Sequence, residues 1–111
     1  MIIGVAGPYS AETEQERIQN LNAMNKAAAA VLAKGHVPLI GVNAALPVIA
    51  QTALEGQARY DAIMNISMAV INTCEALLLI AESPGANRER DLVLSKGLLI
   101  YNNIDEVPEN K

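Results

Sequence analysis

The chain has almost no aromatic side chains. Phe and Trp are absent, and three tyrosines bring aromatics to 3% of residues against an apolar fraction of 51%. The core must therefore be built from Ile, Leu, Val, Met and much Ala, and Ala-rich faces let helices approach a sheet or one another closely. The one cysteine, Cys74, excludes an intrachain disulfide and a zinc cluster, and beside an apolar run it reads as a buried, inert thiol. The one histidine, His36, begins a strand after Gly35 on the amino side of the expected sheet, where a structural role fits better than a catalytic one. Cysteine–histidine nucleophilic catalysis and a Ser-His-Asp triad therefore have no convincing members. No carboxylate–histidine cluster suggests a metal.

Positive charge is scarce as well. Eight Lys and Arg against twelve Asp and Glu give a formal net charge of −4, without a basic run, which argues against a groove for a nucleic-acid polymer. A free nucleotide remains compatible, since a helix end and one or two arginines can hold a phosphate. No apolar stretch reaches membrane-spanning length and no basic leader precedes one, so no membrane partner and a cytoplasmic location are expected. The 111 residues suffice for one core, hence a single domain over 1–111.

Short apolar runs alternate with helical patterns. Ile2 to Ala6, His36 to Ile40, Glu75 to Ala81 and Leu98 to Tyr101 read as strands. Thr13 and Glu16 fit a capping box, opening a helix whose Ile18, Leu21, Met24, Ala28, Val31 and Leu32 recur at helical spacing and face inward; Lys34-Gly35 closes it. Asn43 to Leu54 reads as a loop with one or two helical turns, because Pro47 suits only a first turn. A helix is expected from Ala58 to Thr73, another from Asn87 to Lys96, and a polar tail after Tyr101. Runs without strict alternation, separated by helices, imply a parallel sheet of four to five strands buried on both faces in a three-layer α/β domain of the flavodoxin or Rossmann type. Ligands of such sheets bind beyond the carboxyl ends of the strands, near the switch in strand order. That rule brings together the loop from Gly7 and Pro8 and the loop from Glu82 to Asn87.

The second of these is the most informative segment. Ser83-Pro84-Gly85-Ala86-Asn87-Arg88-Glu89 reads as a strand-to-helix junction with a carboxylate in the first helical turn. Backbone N–H groups and the positive helix end there suit an anionic or hydroxylated ligand. Leu92, Val93 and Lys96 share the side of Glu89, so the carboxylate tops a partly apolar face; it either serves chemistry or merely complements the helix dipole. Tyr9 either packs on the surface or turns its hydroxyl into the cleft. Neither glycine loop forms a dinucleotide fingerprint or a phosphate loop with its lysine, so NAD and ATP readings fail and no cofactor is expected. Chemistry would then run on carboxylates, tyrosine and backbone donors. Glycosidic-bond cleavage suits such a set, because a carboxylate can stabilise or capture the oxocarbenium-like centre.

The opening strand with Ala6-Gly7-Pro8-Tyr9, Gly35-His36, and Ser83-x-Gly85-Ala86-x-x-Glu89 with Gly97 beyond together resemble the nucleoside 2-deoxyribosyltransferase family, in particular its short branch. The resemblance implies a flavodoxin-like sheet, a nucleoside or nucleotide as small-molecule partner, and transfer or hydrolysis at the N-glycosidic bond. It also implies a glutamate nucleophile at Glu89 oriented by Tyr9, and Gly7 with Pro8 close to the nucleoside. The sugar's 5′ end would meet Ser83, Gly85 and Ala86, with Asn87 beside them as a further substrate-binding candidate. Glu75 stands where the family usually has an aspartate that helps hold the substrate; a further family aspartate falls near Ser67, with Asp61 the nearest acid. Arg17, Arg88 and Arg90 are the candidates for a 5′-phosphate. A non-catalytic nucleotide-binding module is the alternative. Dimers or higher homo-oligomers are expected, with Ile63 to Met68 as one candidate contact.

Overall fold

Ile2–Ala6 is β-branched and apolar, and it forms β1 at the centre of a sheet. The computed structural model describes residues 1–110. After β1 come α1 (Glu14–Ala33), β2 (Val37–Leu39), α2 (Gly41–Ile49), α3 (Gly56–Ile71), β3 (Ala76–Leu79), α4 (Pro84–Ser95), β4 (Leu99–Tyr101) and a short 3₁₀ turn at Ile104–Glu106. All pairings are parallel and the strand order is β2-β1-β3-β4, so the fold is α/β and flavodoxin-like with four strands. Gly4 lies opposite Leu39 on one side and Leu77 on the other.

Right-handed crossovers put α1 on one face and the later helices on the other. The core divides accordingly. Met24, Ala28 and Val31 of α1 pack on Ile3, Val5, Ala76 and Leu78, while Ile71 of α3 and Ala86 and Val93 of α4 pack on Ala6, Leu77 and Leu79. Cys74 is buried in the second cluster, where burial pushes its thiol above the ordinary range. A thiol held neutral there is inert, in keeping with the reading of the sequence.

Four expectations need correction. The segment read as a loop is the helix α2, which packs on α3 through Ala45, Ile49 and Ile63. Pro47 lies inside it; the carbonyl that loses a donor belongs to Asn43, and both residues are exposed, so water replaces the missing bond. Secondly, α1 buries Met24, Ala28 and Val31 but leaves Ile18 and Leu32 exposed, since α1 turns only a narrow stripe to the sheet. Thirdly, Ile63, Met64 and Ser67 are buried inside the molecule, so of the stretch Ile63 to Met68 only Asn65, Ile66 and Met68 are open to solvent. The exposed large apolar side chains include Ile18, Leu32, Val48, Leu94 and the sheet-edge residues Val37 and Leu99. Fourthly, the polar tail is a strap. Val107 is buried against the α1 face, and Lys34 Nζ donates to the carbonyls of Ile104 and Val107, both at 2.8 Å.

His36 completes this strap. It is buried, with Nδ1 3.0 Å from the amino nitrogen of Met1 and Nε2 against the Pro108 carbonyl. A carbonyl only accepts, so Nε2 carries the hydrogen and Nδ1 is the acceptor. Lys34→Met removes both charge-assisted bonds to the strap, and a loss of about 1–3 kcal/mol in chemical denaturation is expected; an unchanged midpoint would show that Val107 alone holds the segment. Among the described residues no helix is long and apolar enough to cross a membrane.

Candidate functional site

The connections leaving β1 and β3 run in opposite directions, so their loops part at the carboxyl edge and open a crevice between them. A cleft of about 530 Å³ occupies this position. Gly7, Tyr9, Ser10 and Ala11 line it from the loop after β1, Ser83 to Ala86 from the start of α4, and Gly56, Arg59, Tyr60, Ile63 and Met64 from α3. Such a volume accommodates a ligand of nucleotide size.

The junction that carries the glutamate differs in register from the expected one. Helix α4 starts at Pro84, three residues early, because Ser83 caps it: its Oγ accepts from the Ala86 N–H at 3.1 Å, and Pro84 occupies the first turn, where a missing N–H costs nothing. The small-residue loop is thus the first helical turn, and Glu89 belongs to the second. Glu89 is 6% exposed, lines the cleft, and its Oε2 has no hydrogen-bond partner among the described residues. Burial pushes its carboxyl up to about 8, so at neutral pH the protonated acid predominates. A buried polar atom without a partner is costly, and a ligand donor or acceptor would satisfy it.

Glu89, Tyr9, Gly7, Ser83, Gly85 and Ala86 come together in the cleft. No hydrogen bond joins Tyr9 to Glu89 among the described residues; the Tyr9 carbonyl instead accepts from Asn20 Nδ2 at 3.1 Å, which anchors the loop on α1. Gly7 has a packing reason for lacking a side chain, since a Cβ would lie 2.6 Å from Ile80 Cγ1. At Gly85 a Cβ would sit 3.3 Å from Met64 Sδ and 3.9 Å from the Tyr60 hydroxyl, so a side chain there would narrow the cleft between α3 and α4.

Other expected positions fall elsewhere. Glu75 precedes β3 at the amino edge of the sheet, where its Oε1 accepts from the Ile2 N–H at 2.9 Å, so it does not reach the cleft. The length of β3 separates Glu75 from the carboxyl edge. Pro8 and Asn87 are not in the lining, although Asn87 Oδ1 is buried without a partner. Ser67 is buried against Gly41, and Asp61 is exposed, accepting from Gln57 Nε2. Arg88 is exposed, and Arg90 is paired with Glu82 and Asp91 at 3.1 Å, whereas Arg17 does line the cleft.

The wall contributed by α3 escaped the reading of the sequence. Gly56, Arg59, Tyr60, Ile63 and Met64, with Val42 from α2, lie on a helical hairpin that returns to the carboxyl edge. Reading α2 as a loop hid that return; the signal available was Tyr60, one of only three aromatic residues, one turn into a helix. Among the described residues no group of three or more His, Cys, Asp or Glu side chains is placed to hold a metal ion.

The match to known families spans this whole arrangement. A family model described as a domain of unknown function, DUF4406, matches residues 1–102. The chain belongs to the DUF4406 family. That DUF4406 match includes all four strands and both loops of the cleft. A comparison with curated proteins finds no match.

Proposed function

We propose that the protein acts on the N-glycosidic bond of a (deoxy)nucleoside or its 5′-monophosphate, cleaving it or exchanging its base, with Glu89 as nucleophile. The observation that carries this reading is the nearly buried Glu89 carboxyl with an unpartnered oxygen, set in a nucleotide-sized cleft at the switch point of the sheet. The likeness of Ala6-Gly7-Pro8-Tyr9 and of Ser83-x-Gly85-Ala86-x-x-Glu89 to nucleoside 2-deoxyribosyltransferases supports the reaction class. In the reaction, a Glu89 carboxylate oxygen attacks the anomeric carbon. The bond to the base breaks, its electron pair leaves with the base, and the base takes up a proton. The resulting glycosyl ester is attacked at the same carbon by water, or by a second base, which restores the carboxylate. The phenols of Tyr9 and Tyr60 and the N–H groups at the start of α4 are the donors available to sugar and base. Assembly of copies belongs to the same proposal, since Val37 and Leu99 leave apolar surface at both sheet edges.

Purified protein incubated with a mixed pool of deoxynucleosides and deoxynucleotides should release free base, read by mass spectrometry. Its pH profile carries a further expectation. A nucleophile must be ionised, and burial holds Glu89 near 8, so kcat/KM should rise about tenfold per pH unit through neutrality and level off above about pH 8. The charged and phenolic groups sharing the cleft are Arg17, Arg59, Tyr9 and Tyr60. A profile that falls above pH 8 would instead make Glu89 a general acid. The same protonated state favours one second reading, a non-catalytic nucleotide-binding module in which Glu89 only hydrogen-bonds its ligand; saturable binding with no base released on long incubation would establish it.

A further inference from the structure

Helix α1 is longer than the strand it covers. Its 20 residues span about 30 Å, against about 16 Å for the five residues of β1. Met24, Ala28 and Val31 form the buried stripe that lies on the sheet. The same stripe continues toward the start of the helix as Asn20 and Arg17, at spacings of four and three. From Glu12 to Asn20 these two are the residues not exposed to solvent. The stripe thus changes from apolar side chains to hydrogen-bond donors where it outruns the sheet at the carboxyl edge. Against it there lies the loop from Gly7 to Glu12, which has no regular secondary structure. Asn20 Nδ2 donates to the Tyr9 carbonyl at 3.1 Å, and Arg17 Nη1 to the Ala11 carbonyl at 2.8 Å. Among the described residues these are the hydrogen bonds that tie the loop to the rest of the fold. Tyr9, Ser10 and Ala11 form one wall of the cleft, across from the start of α4 with Glu89, and the Tyr9 side chain is partly buried against the α1 core.

We infer that Arg17 and Asn20 are positioning residues, a two-point clamp that holds the loop after β1 so that Tyr9 presents its phenol to the cleft. Both act on a backbone carbonyl, so the clamp needs an N–H at the end of a side chain of the right length. Neither side chain has to touch a ligand for this. The clamp itself rests on the two contacts and on the overhang of α1; its effect on catalysis rests on the proposed function.

NMR of the full chain with ring-labelled tyrosine reads the clamp without any substrate. No Phe or Trp overlaps the three tyrosines, and Tyr9→Phe, Tyr60→Phe and Tyr101→Phe assign them. In the double variant Arg17→Met/Asn20→Ala the Tyr9 ring signals should move toward those of a solvated tyrosine. Tyr60 and Tyr101 should keep theirs, with a fall in Tm of no more than about 10 °C for two lost hydrogen bonds. Arg17→Lys, which keeps a donor of similar reach, should retain the parent's spectrum. An unmoved Tyr9 in the double variant, or movement of all three tyrosines together, would overturn the inference. Base release gives the second readout. Asn20→Ala should lower kcat about tenfold or more with KM little changed, because a small misplacement at a reacting centre is costly. In a Tyr9→Phe background the same substitution should cost less than about twofold, since a clamp acts only through the phenol it places. An equal loss in both backgrounds would make Asn20 a merely structural residue and overturn the inference. If the parent protein releases no base, the proposed function fails, and the ring spectrum still decides the clamp.

Discussion

Glu89→Gln should abolish base release and, at alkaline pH, make the protein more stable. The first half follows from the nucleophile role. An amide keeps the shape of the side chain but neither attacks the anomeric carbon nor leaves as a carboxylate, so a loss of roughly a thousandfold or more in kcat is expected, about 4 kcal/mol of transition-state stabilisation. The second half follows from burial. The native carboxyl is pushed up to about 8 from an ordinary value of 4.5, so between those pH values the folded state binds more protons than the unfolded chain. Stability must then fall as pH rises from about 4.5 to about 8 and stay flat beyond, with a ceiling of roughly 5 kcal/mol for this one group. Gln has no such slope. Urea denaturation of both proteins at pH 5 and pH 9 should therefore show the variant gaining several kcal/mol relative to the parent at the higher pH. Parallel stability profiles would mean that Glu89 is solvated in solution, and full activity in the variant would remove it from the chemistry. A gain in stability from deleting a carboxylate is the expected signature of a group held for function against its own solvation.

The sheet was legible in the chain because its strands are short apolar runs without alternation, separated by helical patterns that force parallel crossovers. β1, β3 and the α1 cap at Thr13, whose Oγ1 accepts from the Glu16 N–H at 3.1 Å, follow directly from that logic. The site was legible where it lies on the loops after β1 and β3, because topology alone brings those loops together. Half of the cleft was not. Pro47 argued against a helix at α2, and intrinsic propensity was outweighed there by packing of Ala45 and Ile49 on Ile63. With Pro47 pointing to a loop, nothing in the sequence indicates that α3 returns to the carboxyl edge carrying Arg59 and Tyr60. Glu75 differs for another reason: the resemblance places an acid beside β3, and the direction of the strand puts that position at the amino edge, away from the cleft. The strap was missed because Asn102 to Asn110 is polar in composition, and the single buried side chain that ties it down, Val107, has no periodic partner in the sequence.

Gly41→Val should bring the largest structural loss, because α2 and α3 touch there with no room between them. A Cβ built on Gly41 would lie 2.7 Å from Ser67 Cβ, 2.8 Å from Ser67 Cα and 2.9 Å from the Ser67 carbonyl oxygen. Two of those atoms are backbone in the middle of α3, and they cannot swing aside as the tip of a long side chain would. Ser67 is fully buried, so the strain has no outlet to solvent, and the two helices must part. Overpacking in a tight core costs about 1–3 kcal/mol for small additions, and the branched side chain should fall at or above the upper end. In a domain of this size that corresponds to a drop of at least about 10 °C in Tm. Ser67→Gly should recover only part of the loss, since it removes the Cβ contact but leaves the backbone contacts in place. Function should fall with it, because Val42, Ile63 and Met64 line the cleft from the same helical pair. A Gly41→Val protein with the parent's Tm would mean that α2 is free to move off α3 at no cost, and the α3 wall would then be too loosely held to read a base.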